Sequence, residues 1–359
     1  MMRYIGTHST LLASVAEGFF AISGFLLGYT SFSMVQASGW SNIIKKNILR
    51  ALKLLSIGLM LTSIHYLWSL KTGSRLYLGD RNMFVDFNNL SQYLPQSFFG
   101  YYIYGYHDIL FNYAVVIFFS PIFLFLAKSK KYKTALVISL ILWSINYIYP
   151  GRFDINNSSF NNLGWQIIFY PPLLMGYWLK ENNNKEKLKN LITSLQNNKV
   201  LYWVSMIAIF LYIFSFYYGY LEGRHYPFLN DFIATNSSRD NMGPIRVLVF
   251  YLWLLTALIF FYQKSLVTKL KNSSIGFVAN LTKLVMYFGR YSLAVYVIHF
   301  LFILMFYYIL RIPDFMSSFV RSKYLADDLS IIFIIIIIYY LARGLNGILS
   351  YVKKKKSYS

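Results

Sequence analysis

The sequence predicts an all-α fold, a polytopic transmembrane helix bundle, and three observations carry that prediction. Of 359 residues 57% are apolar and only 13% charged, where a soluble domain carries about 25% charged residues. Aromatic residues reach 20%, a surplus suited to lipid as solvent and to its interfaces. Apolar stretches long enough to cross a ~30 Å hydrocarbon core, about 17 to 25 residues of helix, recur along the chain. The same figures exclude a disordered polymer, which needs low hydrophobicity, and the absence of cysteine excludes a disulfide framework.

Nine spans are read in order, near 11–35, 48–70, 108–127, 134–150, 163–180, 200–220, 245–263, 290–310 and 329–350, and together they make residues 1–359 a single integral-membrane domain. The first, SVAEGFFAISGFLLGY, carries Gly24 and Gly28 at a small-xxx-small spacing, which favours close helix packing. The second follows a short turn holding Lys45 and Lys46, and the third opens at His107-Asp108 after a loop dense in Tyr, Phe, Gln and Asn. The fourth and fifth are short, and Pro171-Pro172 removes backbone donors from the fifth. The last contains the unbroken run IIFIIIIIYY.

Basic residues alternate between the connecting segments and set the orientation. One side holds 19 Lys and Arg against Glu181 and Glu186; the other holds 10 against nine acids. By the positive-inside rule the C-terminus is cytoplasmic. Nine spans then put the N-terminus outside, and because MMRYIGTHSTLL reads as the tail of a loop, a preceding helix is expected upstream. A net charge of +21 would point to nucleic acid in a soluble protein. Here it collects in short cytoplasmic turns without interleaved base-stacking aromatics, so no nucleic-acid partner is expected.

Ionisable groups inside spans cost several kcal/mol unless they face a cavity or a partner, so each is a functional candidate. Glu17 lies about two turns into the first span: either a carboxylate facing a cavity as acid, base or orienter, or a protonated or Arg-paired packing residue. Arg50 and Lys53 sit in the first two turns of the second span, placed either to hold an anionic phosphate or to snorkel to headgroups. His65 falls near the outer end of that helix. Asp108 is either a helix N-cap or, with His107, an acid and imidazole pair at the external mouth. Trp165-Gln166 opens the fifth span; belt placement would explain the Trp, while Trp beside an amide also suits sugar stacking and hydrogen bonding. Arg290 begins the eighth span, and His299, nine residues later, is about 13 Å deeper, near the midplane, where an imidazole suits proton handling. The chain has no P-loop, dinucleotide-binding glycine fingerprint or HExxH, and no metal site is expected.

Several strings resemble one family. SVAEGFFAISGFLLGY is similar to the AE-x-F-x-x-x-SG segment of OpgC-type membrane acyltransferases, HDILFNYAVVIFFSPIFLFLAK to their D-I-L-x-x-Y helix, LGWQIIFYPPLLMGYW to A-W-Q-x-x-F, and FGRYSLAVYVIHFLF to G-R-x-S-L-x-x-x-x-x-H. The resemblance implies a bacterial inner-membrane O-acyltransferase that takes an acyl group, succinyl in glucan-modifying members, from cytoplasmic acyl-CoA to a hydroxyl of a periplasmic or cell-surface glycan. Such proteins normally have ten spans. The additional first helix, with an arginine and an Asp-His pair, is absent from this sequence, and His8 is a poor substitute for its histidine.

The expectation is therefore an acyltransferase in which His299, Glu17 and Asp108 do the chemistry, Arg50, Lys53 and Arg290 hold the acyl-CoA phosphates, and Trp165, Gln166 and His107 meet the glycan. Its surroundings are membrane lipid and, as an open option, a second copy in a homo-oligomer. The rival readings are a glycan or small-anion transporter or flippase, against which the lack of internal repeats counts, and a catalytically inactive paralogue.

Overall fold

The computed structural model describes residues 15–72, 108–150, 161–181, 184–196, 241–261 and 264–290, with a few isolated positions besides. Among the described residues every regular element is helical and there is no strand. The helices are α1 (Val15–Thr72), α2 (Asp108–Lys128), α3 (Tyr132–Ile148), α4 (Asn162–Lys180), α5 (Lys185–Gln196), α6 (Pro244–Phe261), α7 (Lys264–Lys271) and α8 (Gly276–Arg290). The predicted spans at 11–35, 48–70, 108–127, 134–150, 163–180 and 245–263 fall on α1 to α4 and α6. Most of those at 200–220, 290–310 and 329–350, with His8, His107 and His299, lie outside the described residues, as do the side chains of His65 and Arg290.

One boundary differs from the sequence-based expectation. The first two predicted spans are not parted by a loop: α1 is helical for 58 residues except at Gly39, whose φ of 79° and ψ of 175° break the path. A left-handed φ suits a residue without Cβ, and the chain changes direction there within a single residue. The second arm consequently starts at Trp40, ten residues before Arg50. Arg50 therefore stands about 15 Å along that arm, deeper than the first two turns expected from the sequence. The proline pair leaves α4 a single helix of 19 residues, and Pro121 is likewise accommodated within α2.

The chain divides into two compact units, Thr7–Tyr262 and the remainder. The first contains α1 to α6. The first arm of α1 runs parallel to α4, because Gly24 lies against the Phe169 carbonyl and Gly28 against that of Leu173. Gly176 of α4 returns the contact against the Phe25 carbonyl, and a Cβ at any of the three would run into backbone. The same arm runs alongside α2, with Phe20 stacked on Tyr113 at 4.0 Å, and Trp40, just past the break, lies near Phe125 at 5.8 Å. The second arm returns along α2 in the opposite sense: Asn47 Nδ2 donates to Ser120 Oγ at 3.1 Å, and Arg50 lies within electrostatic reach of Tyr113. In the other unit α7 packs on α8, and Tyr287 of α8 meets Tyr339 edge-on at 5.2 Å.

The first unit has apolar side chains on its outside and a minority of polar groups buried in a mostly apolar core. Ile22, Leu26, Phe119, Ile122, Leu140 and Ile141 are exposed, while Glu17, Asn112, Ser120, Ser139, Gln166 and Arg246 are buried. Apolar side chains of that size on the outside suit a hydrocarbon surround. Among the described residues two helices, Ala16–Ile64 and Asp108–Lys128, are long and apolar enough to cross a membrane, and Tyr132–Ile148 and Pro244–Ala257 are shorter apolar helices.

Candidate functional site

The helix directions sort the first unit into two ends. Lysine-rich turns gather at one. Lys130, at φ 57°, and Lys131 close the exit of α2 by donating to the Ala127 and Leu126 carbonyls at 2.9 and 2.8 Å. Tyr132 donates to Glu181 Oε2 at 2.7 Å, joining α3 to the end of α4. Lys128 stands 5.7 Å over the Trp40 ring and Lys180 5.1 Å over that of Tyr29. Amphipathic α5 folds onto this end, burying Leu188 and Ile192 with Leu179.

At the opposite end α1, α2, α4 and α6 all begin and α3 ends, and there the buried polar groups converge. Arg246, in the first turn of α6, donates through Nε to Glu17 Oε1 at 2.5 Å, with Nη2 of the same guanidinium also 2.5 Å from that oxygen. The two side chains are 1% and 0% exposed. An ion pair this dry is held by its geometry, since each partner alone would carry an uncompensated buried charge. One turn further along α1, Phe20 lies between Tyr113 and Trp165, with ring centroids 4.0 and 5.0 Å away. This aromatic layer fixes α2 and α4 against the helix that carries Glu17.

Gln166 is bound reciprocally to α3: Ser139 Oγ donates to its Oε1 and its Nε2 donates to the Ser139 carbonyl, both at 2.7 Å. Tyr251 of α6 donates to the Ile167 carbonyl at 2.6 Å, and Trp143 Nε1 to the Met242 carbonyl at 2.7 Å, so α6 is tied to both α3 and α4. Asp108 begins α2 with 4% of its surface exposed, and Asn112, one turn on, is fully buried.

The structure thus places Glu17, Asp108, Trp165 and Gln166 toward one end of one core. Trp165 and Gln166 are both buried, the first against Phe20 and the second in its exchange with Ser139. Arg50 and Lys53 are exposed on the second arm of α1, with Arg50 within electrostatic reach of Tyr113. Arg246 is the buried partner of Glu17 that sequence reasoning missed. It stands one residue into the predicted span 245–263, and the rule that flags Glu17, an ionisable group inside an apolar segment, would have found it. The buried asparagines 146, 161 and 162 carry no charge and give no such signal.

The first unit is thus a helical core with apolar side chains on its outside that encloses a carboxylate–guanidinium pair and several amides, an arrangement consistent with a membrane protein. A family model described as OpgC protein matches residues 3–346, nearly the whole chain, and the chain belongs to that family. No curated protein and no solved structure matches it. OpgC membership points in general terms to a glucan-modifying acyltransferase.

Proposed function

We propose that the chain is a multi-pass O-acyltransferase of the bacterial inner membrane, with nine crossings and a cytoplasmic C-terminus, that moves an acyl group, succinyl in the leading version, from cytoplasmic acyl-CoA to a hydroxyl of an extracytoplasmic glucan. The observation that carries this is the buried Glu17–Arg246 pair, set in an OpgC-family chain at the end of the core opposite the lysine-rich turns. Fixed charge close to a site, shielded from water, stabilises developing charge far better than it would in bulk solvent.

In this proposal the acceptor oxygen attacks the thioester carbonyl. The new C–O bond forms as the C–S bond breaks, the hydroxyl proton goes to a base, and CoA leaves as the thiol. A thioester is already activated, so no covalent enzyme intermediate is needed. His299 takes the proton, Glu17 and Asp108 orient the acceptor, and Arg246 holds the Glu17 carboxylate in place. Arg50, Lys53 and Arg290 meet the phosphates of CoA, while Trp165, Gln166 and His107 belong to the acceptor side.

The test is transfer of label from succinyl-CoA or acetyl-CoA to purified glucan by membranes containing the chain. Wild type should transfer one acyl group in preference to the other, and His299→Ala should lower the rate by about 10²-fold or more, the range of a lost general base. Full rates in His299→Ala, Glu17→Ala and Arg290→Ala alike would refute the residue assignment. Transport of glucan without acylation would refute the reaction.

A further inference from the structure

Three asparagines at the first turn of α4 keep amide atoms that no protein group satisfies. Asn161, Asn162 and Asn146 are 1%, 5% and 1% exposed. Asn146 Nδ2 donates to the Asn241 carbonyl at 3.2 Å, and its Oδ1 has no partner. Asn161 Oδ1 accepts from Leu163 N–H at 3.1 Å as the cap of α4, and its Nδ2 has no partner. Asn162 has none at either end. Gly164 closes the group: a Cβ there would come 2.9 Å from both Asn146 Nδ2 and the Asn241 carbonyl, so α3 and the segment before α6 approach the first turn of α4 only because that side chain is missing.

The amide orientations are fixed by chemistry. Turning Asn146 over would set its oxygen against the Asn241 carbonyl, and turning Asn161 over would set its NH2 against an N–H. The unsatisfied set is therefore mixed, with donors on Asn161 and Asn162 and acceptors on Asn146 and Asn162. A buried polar group without a partner is destabilising and is rare in folded proteins. Four such atoms near the start of α4 call for an occupant that both donates and accepts. A carboxylate offers only acceptors and would leave the two oxygens unsatisfied; a phosphate, though it keeps a hydroxyl donor, would bring a charge to a set of neutral amides; a cation would leave the two NH2 groups unsatisfied. A neutral polyol offers both on neighbouring carbons.

We propose that Asn146, Asn161 and Asn162 form a subsite that reads vicinal hydroxyls of the sugar acceptor, beside the Glu17–Arg246 pair. Trp165, three residues after Asn162, stacks near Phe20, and Arg246 follows Asn241 by five residues, so the amides and the ion pair occupy the same end of the core. The proposal rests on the acyltransferase reading for the acceptor's identity and adds the residues that select it.

The discriminating variant is Asn162→Leu, near in volume and without polar atoms, with Asn162→Ala as a second variant should leucine not fit. Thermal unfolding of the purified full chain is followed without any acyl donor, in the presence of a short glucose oligosaccharide or of inorganic phosphate. The sugar should raise the melting temperature of wild type and not of the variants, phosphate should raise neither, and Asn162→Leu alone should melt no lower than wild type because it removes an unsatisfied buried amide. A variant that melts lower and keeps the sugar shift overturns the proposal, showing an amide that serves packing or an ordered water only. An equal shift with phosphate overturns it in favour of an anion site. Acyl transfer then separates the two levels. If wild type acylates glucan and Asn162→Leu keeps the acceptor KM, the amide subsite fails and the reaction stands. If Asn162→Leu loses sugar binding while wild type transfers no acyl group, the subsite stands and the reaction fails. With both correct, the acceptor KM rises at least about tenfold, the loss of one to two hydrogen bonds.

Discussion

At one end of the α1–α6 pack Glu17 and Arg246 meet at 2.5 Å with 0% and 1% of their surfaces exposed; at the other, Lys128 and Lys180 stand 5.7 and 5.1 Å over aromatic rings with their ammonium groups at or near the surface. Both ends are rich in ionisable side chains. Only one has removed them from water. The lysine end uses charge in the way surface groups do, where pairs contribute little. The carboxylate end commits charge to a fixed place in a dry core, where it constrains neighbouring chemistry as well as packing. Similar residue types thus do different work because the solvent differs.

The comparison can be broken most directly at the ion pair. Arg246→Met should lower unfolding stability by about 3–5 kcal/mol, because the Glu17 carboxylate is left buried and alone. Adding Glu17→Leu should recover most of that stability, and acyl transfer should stay lost in the double variant. If the double variant regains transfer, the pair serves packing alone. Denaturant unfolding in detergent measures the first effect and label transfer the second.

The contact that brings the two ends into one pack comes next. Gly28→Ala should cost about 1–3 kcal/mol, the range for forcing extra volume into a close-packed core, since its Cβ would meet the Leu173 carbonyl. Gly18, where a methyl group would find nothing within 4 Å, should accept alanine with little loss. Equal melting temperatures for both alanine variants would contradict the α1–α4 packing.

The lysine end should respond least. Tyr132→Phe, which removes the hydrogen bond to Glu181, should cost about 1 kcal/mol. Lys128→Ala, at an exposed cation–π contact, should cost about 0.5–1 kcal/mol. A loss at Lys128 as large as that at Arg246 would erase the distinction between the ends.

Much of this is legible from residue types. Glu17 stands out because a carboxylate in an apolar run violates the cost of burying charge, and Gly24 and Gly28 because their spacing puts both on one face. Asp108 and the Trp165-Gln166 pair are visible as polar interruptions at helix starts. Arg246 obeys the same rule as Glu17, yet at the very edge of its apolar segment it escapes notice. Asn146, Asn161 and Asn162 break no rule, because a neutral amide near a helix end is ordinary until its partners are counted.

Residue order alone was enough for the helical class, for the apolar segments that became α1 to α4 and α6, and for the gathering of lysines into short turns. Hydrophobic length and charge placement are properties of one segment at a time. Only the packed chain brings Arg246 onto Glu17 across 229 positions, joins two predicted spans through Gly39, and sets Arg50 at the level of Tyr113. Those depend on which helices lie side by side and at what offset. That offset is set here by backbone approach at glycines 24, 28 and 176; the spacing of Gly24 and Gly28 marks a packing face, but neither the partner helix nor its register is written in any one helix.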